Sequence, residues 1–238
     1  MNIERGFKFV FQEKNWFGKV VVGGLMLLFS FLIVPLLIYY GYLVDVTRRT
    51  IKEEPQLLPD WDDIGQKIAN GFKLLVIIIV YLIPFLVLLV ISLPFAEIEF
   101  ENFKSREITA FIMLFLSNLF FKSELTGISI LFAISSLVYI LFFVLILPFV
   151  VGKFAESESI SDAFAISDIF SMLRDNIGEA IIVFLLTIFL QLLASLGLAL
   201  CFIGIFLTGF WASVVQYYLY GELYKKATQT RTRSILTT

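Results

Sequence analysis

LPDWDDIGQKIANGFK, residues 58–73, is a polar island in an oily chain, and a long hydrophobic run follows it at once. Read as a helix, it puts Trp61, Ile64, Ile68 and Phe72 on one stripe, at spacings i, i+3, i+7 and i+11. Asp60, Asp62, Asp63, Gln66 and Lys67 take the other face. Asp60 follows Pro59 and suits a helix start, where a carboxylate caps free N–H groups and meets the helix dipole. Asn70-Gly71 is expected to break the helix before the span begins. A short amphipathic helix with a tryptophan, joined to a span, is expected to lie in the headgroup plane.

Working outward, the same design recurs twice. At the amino terminus Ile3, Phe7, Val10 and Phe11 form a stripe, and Asn15 to Gly18, with Trp16, leads into the first apolar block. Farther on, Ile166, Ile169, Phe170, Leu173 and Ile177 form another, with Ser161 or Asp162 as its cap and Asn176 to Gly178 before the next span. Three interfacial helices are therefore expected, over about 3–15, 60–70 and 162–176. Trp16, Trp61, Ile64, Ile68, Phe164, Ile169 and Phe170 are their candidate membrane-contacting residues. The self-similarity hints at an internal repeat, although shared interface physics explains it nearly as well.

Of the 238 residues 59% are hydrophobic and 16% charged, against roughly 45–50% and about 25% in soluble domains. The mean hydropathy is +0.93. The apolar residues concentrate in long uncharged runs, which indicates an all-α integral membrane protein. Hydrophobic segments fall at about 17–51, 72–95, 108–121, 127–152, 179–200 and 204–224, with a turn near Cys201 to Gly204 and a tail over 225–238. The first block is either one long tilted helix or two short helices folded at Pro35. In either arrangement about six membrane-crossing helices are expected, some as short hairpins, in a single membrane domain.

Lysine and arginine set the orientation. They gather at the amino terminus, between 48 and 67, at Lys153 and Arg174, and in the tail, whereas 96–126 is acidic. Placing the basic regions in the cytoplasm satisfies the rule best if the first block is a hairpin and 108–121 does not cross. The alternative has a single first span and a crossing 108–121. Both place the two termini in the cytoplasm of a multi-pass inner (cell) membrane protein. Insertion is expected to use the first hydrophobic segment, since Glu4 and Glu13 leave residues 1–19 unlike a cleavable signal.

Little catalytic chemistry is visible. There is no histidine and a single cysteine, Cys201, so the usual neutral-pH acid/base and any cysteine-clustered metal site are missing. No catalytic, cofactor or metal residue is expected, and no nucleic-acid partner, given a net charge of −2 and no basic footprint. The carboxylates Glu53, Glu54, Asp60, Asp62 and Asp63 are read as a solvated acidic face. No segment carries an ionisable group in its middle, which argues against proton-coupled transport. The polar groups Asn118, Gln191, Ser195 and Gln216 are read as hydrogen bonds between helices. Gln191, Ser195, Gly197, Gly204 and Gly209 form a candidate packing seam, within the chain or between copies.

FKFVFQEKNWFGKVVVGGL (7–25 with its flanks), GYLVDVTRRTIKEE (41–54), the opening stretch and GFWASVVQYYLYGELYK (209–225) together resemble the DUF4013 domain family. That resemblance covers almost the whole chain and implies an uncharacterised multi-spanning membrane protein of bacteria or archaea. It brings no activity. One departure is Lys52-Glu53-Glu54-Pro55, where the family more usually has a glycine before the acidic residue, which bears on the turn geometry. The expected function is a non-enzymatic scaffold, accessory subunit or membrane-shaping protein, with the lipid bilayer and a membrane-protein partner or second copy as partners. The alternative is a small-solute channel or transporter lined near Gln191, Asn118 and Gln216.

Overall fold

The computed structural model describes residues 1–92, 127–200 and 204–236, and among these there is no strand. The helices are α1 (Ile3–Gln12), α2 (Trp16–Leu28), α3 (Ile33–Ile51), α4 (Ile64–Ser92), α5 (Gly127–Ser157), α6 (Ile166–Asp175), α7 (Ile177–Ser195) and α8 (Gly204–Leu236). Single turns of 3-10 helix occupy Asp162–Phe164 and Leu196–Leu200. The expected segment 108–121, Asn118 and most of the turn near Cys201 lie outside the described residues.

Ile64–Leu88, Ile134–Ser157 and Ile177–Ala199 are each long and apolar enough to cross a membrane, with hydropathies of 2.7, 2.7 and 2.6. Their outward faces are apolar, including Ile79, Leu137, Ile181 and Leu185. This is an all-helical membrane protein. It divides into two units, Met1–Ile78 with Val144–Thr238, and Ile79–Phe143. Within the second, the Tyr139 hydroxyl donates to the Tyr81 carbonyl and the Tyr81 ring lies 6.1 Å from Phe143.

The first unit is organised around α8. Residues 217–224 of that helix, YYLYGELY, are buried on every side, the pattern of a helix at the centre of a bundle. α1, α2, α3 and α7 all pack on it. Lipid tails are as apolar as leucine, so helices in a membrane gain little from hydrophobic burial and associate through close packing. Glycines supply the closest approaches. A Cβ at Gly41 would lie 1.9 Å from the Lys67 carbonyl oxygen, and one at Gly71 1.9 Å from that of Leu37, so α3 and α4 cross backbone against backbone. Gly221 meets the Thr47 carbonyl, and Gly152 faces the Tyr224 ring.

This crossing corrects the expected break at Asn70-Gly71. α4 runs unbroken from Ile64 through both residues. Asn70, Gly71, Leu74 and Ile77 are its buried face, and the stripe expected to define a surface helix, Ile64, Ile68 and Phe72, looks outward. The glycine is there for a close approach. The chain does break at the other two joints, where Asn15 precedes α2 and Asn176 precedes α7.

The first hydrophobic block is two helices, turning at Phe29–Leu32 and not at Pro35. Pro35 is the third residue of α3, where a helix has no hydrogen bond for it to break. The expected third interfacial helix is also divided. Residues 162–164 form one 3-10 turn, and α6 starts only at Ile166 with no side-chain cap from Ser161 or Asp162. Through residues 225–236 the expected tail is helical, continuous with α8.

Gly71→Leu drives a side chain into the Leu37 carbonyl, and we expect it to cost about 3 kcal/mol, read as a lower melting temperature in detergent. A Cβ at Gly65, one turn and a half earlier, would meet nothing within 4 Å. Gly65→Ala should leave the melting temperature unchanged or raise it slightly.

Candidate functional site

The polar end of the first unit is built from the chain between α3 and α4. α3 ends in a left-handed residue, Glu53 at φ 56°, and the Glu54 N–H returns to the Arg49 carbonyl at 2.9 Å. That bond closes the helix end as a glycine would. The chain then folds inward. Leu57, Leu58 and Pro59 are buried, and the Tyr42 hydroxyl donates to the Pro59 carbonyl at 3.0 Å. Trp61 stacks on Tyr42 with ring centroids 4.2 Å apart, backed by Phe210 at 5.5 Å from Tyr42. Its indole N–H donates to the Lys19 carbonyl at 3.1 Å.

Residues 57–61 therefore act as a plug in the bundle, and Lys19 of α2 pins it. The Lys19 ammonium is buried, donates to the Leu58 carbonyl at 2.9 Å, and pairs with Asp60 at 2.8 Å and Glu13 at 3.0 Å. Gln56 reaches Glu13 and Asp60 from the other side. The Lys19 ammonium beside Asp60 holds that carboxyl below its ordinary range.

Beside the plug lies a cavity of about 280 Å³ lined by charged groups. Four cations, Arg48, Arg49, Lys52 and Lys67, face five carboxylates, Asp45, Glu54, Asp62, Asp63 and Glu158. Arg48 is the hub. It pairs with Asp45 at 3.1 Å and Glu158 at 3.2 Å, and donates to the Ala155 carbonyl at 3.0 Å. Lys67, buried on α4, donates to the Asp62 carbonyl at 2.6 Å and lies 3.7 Å from Asp45. Gln66 and Lys73 donate to the Glu158 side chain and carbonyl. Like Glu53, Asp63 (φ 46°) and Glu158 (φ 58°) sit in left-handed conformations, each costing an ordinary residue about 1–2 kcal/mol. They terminate helices here: the Glu158 N–H caps the Phe154 carbonyl, and the Asp63 carbonyl receives the first N–H of α4's second turn, from Lys67.

The acidic run is solvent-exposed, as expected for a solvated face, and its carboxylates also lie against cations of the protein. Glu53 pairs with Lys225, Glu54 with Arg49, Asp60 with Lys19 and Asp62 with Lys67. Trp61 likewise is packed against protein and belongs to no helix. Ile64 is exposed and Ile68 half-buried. Trp16 contacts Phe11 and Phe17 edge-on at 5.0 and 5.6 Å. Ile169 is buried against the bundle, Phe164 is half-buried, and Phe170 is exposed. Only part of each stripe is therefore exposed.

In the seam, a Cβ at Gly197 would strike Thr208 Oγ1 at 2.1 Å and the Gly204 carbonyl oxygen at 2.7 Å, and Gly209 faces Leu27. These three glycines meet neighbours within the chain. Ser195 bonds to its own helix at Leu192, and Gln191 lies exposed, 3.4 Å from Gln216. Gln216 in turn donates to the Tyr220 hydroxyl at 2.6 Å. Among the described residues no three of His, Cys, Asp or Glu are grouped to hold a metal ion. Sequence reasoning missed Lys19, Tyr42 and Arg48: the two cations lie near helix ends, and Tyr42 lies at the middle of α3.

The family described as "Protein of unknown function (DUF4013)" matches residues 24–209. The chain belongs to that family. No curated protein and no solved structure matches it.

Two outcomes test this geometry. Asp60 is acidified in the folded protein, so its stabilising charge is complete above the ordinary carboxyl value of about 3.9 and is lost as pH falls through the lower folded value. Hydrogen exchange over 52–63, taken relative to the intrinsic amide rate at each pH, should accelerate across that acid window in the wild type. In Asp60→Asn it should already be fast at neutral pH, with no further acid step. Glu53→Gly should be neutral or stabilising by up to about 1 kcal/mol, because relief of the left-handed strain outweighs an exposed ion pair worth about 0–1 kcal/mol. A thermal melt measures the difference.

Proposed function

We propose that this member of the family works without catalysing a reaction, as a scaffold, accessory subunit or membrane-shaping protein of the inner (cell) membrane. Both termini are taken to face the cytoplasm, in keeping with the basic residues at the polar end. The reading rests on one observation above the others: the charged residues that could do chemistry are committed to bracing. Lys19, Arg48 and Lys67 each hold two or more partners across different segments. The outward faces of α2, α4 and α7 are apolar, which suits a body that works by occupying lipid and contacting neighbours.

The channel or transporter alternative gains nothing from Gln191, which lies on the outside of the α7–α8 pair. Affinity purification from native membranes in mild detergent, with mass spectrometry, tests the proposal alongside reconstitution. A stoichiometric membrane-protein partner, or liposomes remodelled at high protein density, is the expected result. Unchanged vesicles, no partner and solute flux through proteoliposomes would overturn it.

A further inference from the structure

Lipid acyl chains offer no hydrogen bonds, so an amide that faces them is left partly unsatisfied. α7 poses that problem. It lies within Ile177–Ala199, a stretch long and apolar enough to cross the membrane, and Gln191 falls roughly two turns or more from either end of it. Gln191 is exposed, and so is Ser195 one turn later. The Gln191 amide nitrogen donates once, to Gln216 Oε1 at 3.4 Å. Its second N–H and its carbonyl oxygen meet no partner among the described residues. The Ser195 hydroxyl donates to the Leu192 carbonyl of its own helix at 2.7 Å, so Ser195 is small and already satisfied.

The outward surface of α7 carries two stripes. Ile182, Leu185, Phe189, Leu192 and Leu196 are all exposed and all apolar, which suits acyl chains. The other stripe is Ile181, Phe184, Ile188, Gln191 and Ser195, spaced alternately by three and four residues. That is the spacing of a coiled-coil seam. Ile181 and Ile188 are exposed and Phe184 is half-buried. Membrane helices pair along such seams where small residues let backbones approach and a polar side chain bonds across. A single amide on the seam fixes its register and the number of helices. The glycines at 197, 204 and 209 meet neighbours within the chain, so Gln191 and Ser195 are the part of the expected packing seam left outward. The amide also names its partner. It is its own complement, with donor and acceptor at one point, and a two-fold axis sets the same residue of two copies face to face.

We propose that a second copy of this chain covers the Gln191 stripe, the two α7 helices pairing in parallel about a two-fold axis along the membrane normal. Each Gln191 carbonyl oxygen then accepts the free amide N–H of the other, and Ser195 leaves room for the close approach. The all-apolar stripe from Ile182 to Leu196 stays on lipid. The pairing does not depend on which of the roles proposed above the protein has.

The test is cysteine cross-linking of the purified full chain in phospholipid bilayers, in a Cys201→Ser background. Ile188→Cys and Ser195→Cys lie on the seam, and Phe189→Cys, exposed on the lipid stripe beside Ile188, is the control. On oxidation with copper phenanthroline the seam variants should run at twice the mass of the chain, forming several-fold faster than the control. Adding Gln191→Leu should slow that formation several-fold, whereas Gln191→Asn, which keeps the amide, should slow it less. Equal rates at seam and control would mean chance collision and overturn the proposal. Seam cysteines that stay monomeric would overturn it too, whether lipid or another part of this chain covers the face, and so would a rate indifferent to Gln191→Leu. Energy transfer between labelled copies that are otherwise wild type reads the same pairing if the cysteine variants do not fold. Transfer that falls to the level of random proximity as lipid is added would contradict it.

Discussion

The buried ammonium of Lys19 is the constraint on which the polar end of the protein depends. A charge removed from water must be paired and fully hydrogen-bonded. Lys19 meets that demand with one carbonyl and two carboxylates, and all three come from outside its own helix: Leu58 and Asp60 from the plug, Glu13 from the turn before α2. Satisfying one cation therefore fixes the position of residues 56–61 against α2. Once fixed, the plug carries Trp61 onto Tyr42, a stack worth about 0.5–1.5 kcal/mol beyond its burial. Removing the carboxylates while leaving the lysine strands a buried charge, which in comparable settings costs about 3–5 kcal/mol.

Beneath the plug, the apolar part of the first unit is held by a different kind of force. With no water to escape, helices meet where small residues allow their backbones to touch. The reciprocal crossing of Gly41 and Gly71 and the contact of Gly221 with Thr47 bring α3 against α4 and α8. The Thr47 hydroxyl adds a donor to the Tyr217 carbonyl at 3.0 Å. α1 closes another side of α8 by setting Gly6 and Phe9 on Tyr218, with the ring centroids of Phe9 and Tyr218 5.1 Å apart. The result is a central helix whose tyrosines, ordinarily residues of the membrane interface, are enclosed by protein.

The class of fold was legible in composition, because no soluble chain carries such long uncharged runs. The joints at Asn15 and Asn176 were legible too, since both mark real breaks. What periodicity could not give was the side of the helix that faces protein. In a membrane both lipid and partner are apolar, so the stripe Ile64, Ile68, Phe72 reads equally well as buried or outward, and it is outward. The buried face carries Lys67 and Asn70, which pattern reading assigns to solvent. Asn70-Gly71 reads as a helix break from propensity alone, and only the carbonyl of Leu37, distant in sequence, shows why glycine is needed there. The unusual glutamate at 53 falls where a helix end turns left-handed, which accounts for the glycine expected at that position from the family resemblance.

The LPDW segment is a plug held within the protein, and not a collar on the lipid surface. Fluorescence of Trp61 as the sole tryptophan, with Trp16 and Trp211 replaced by phenylalanine, tests it in bilayers containing lipids brominated near the headgroup. Weak quenching is expected, with a marked increase when Lys19→Met releases the plug. Strong quenching of Trp61 in the otherwise wild-type protein would place the indole among the lipids and contradict it.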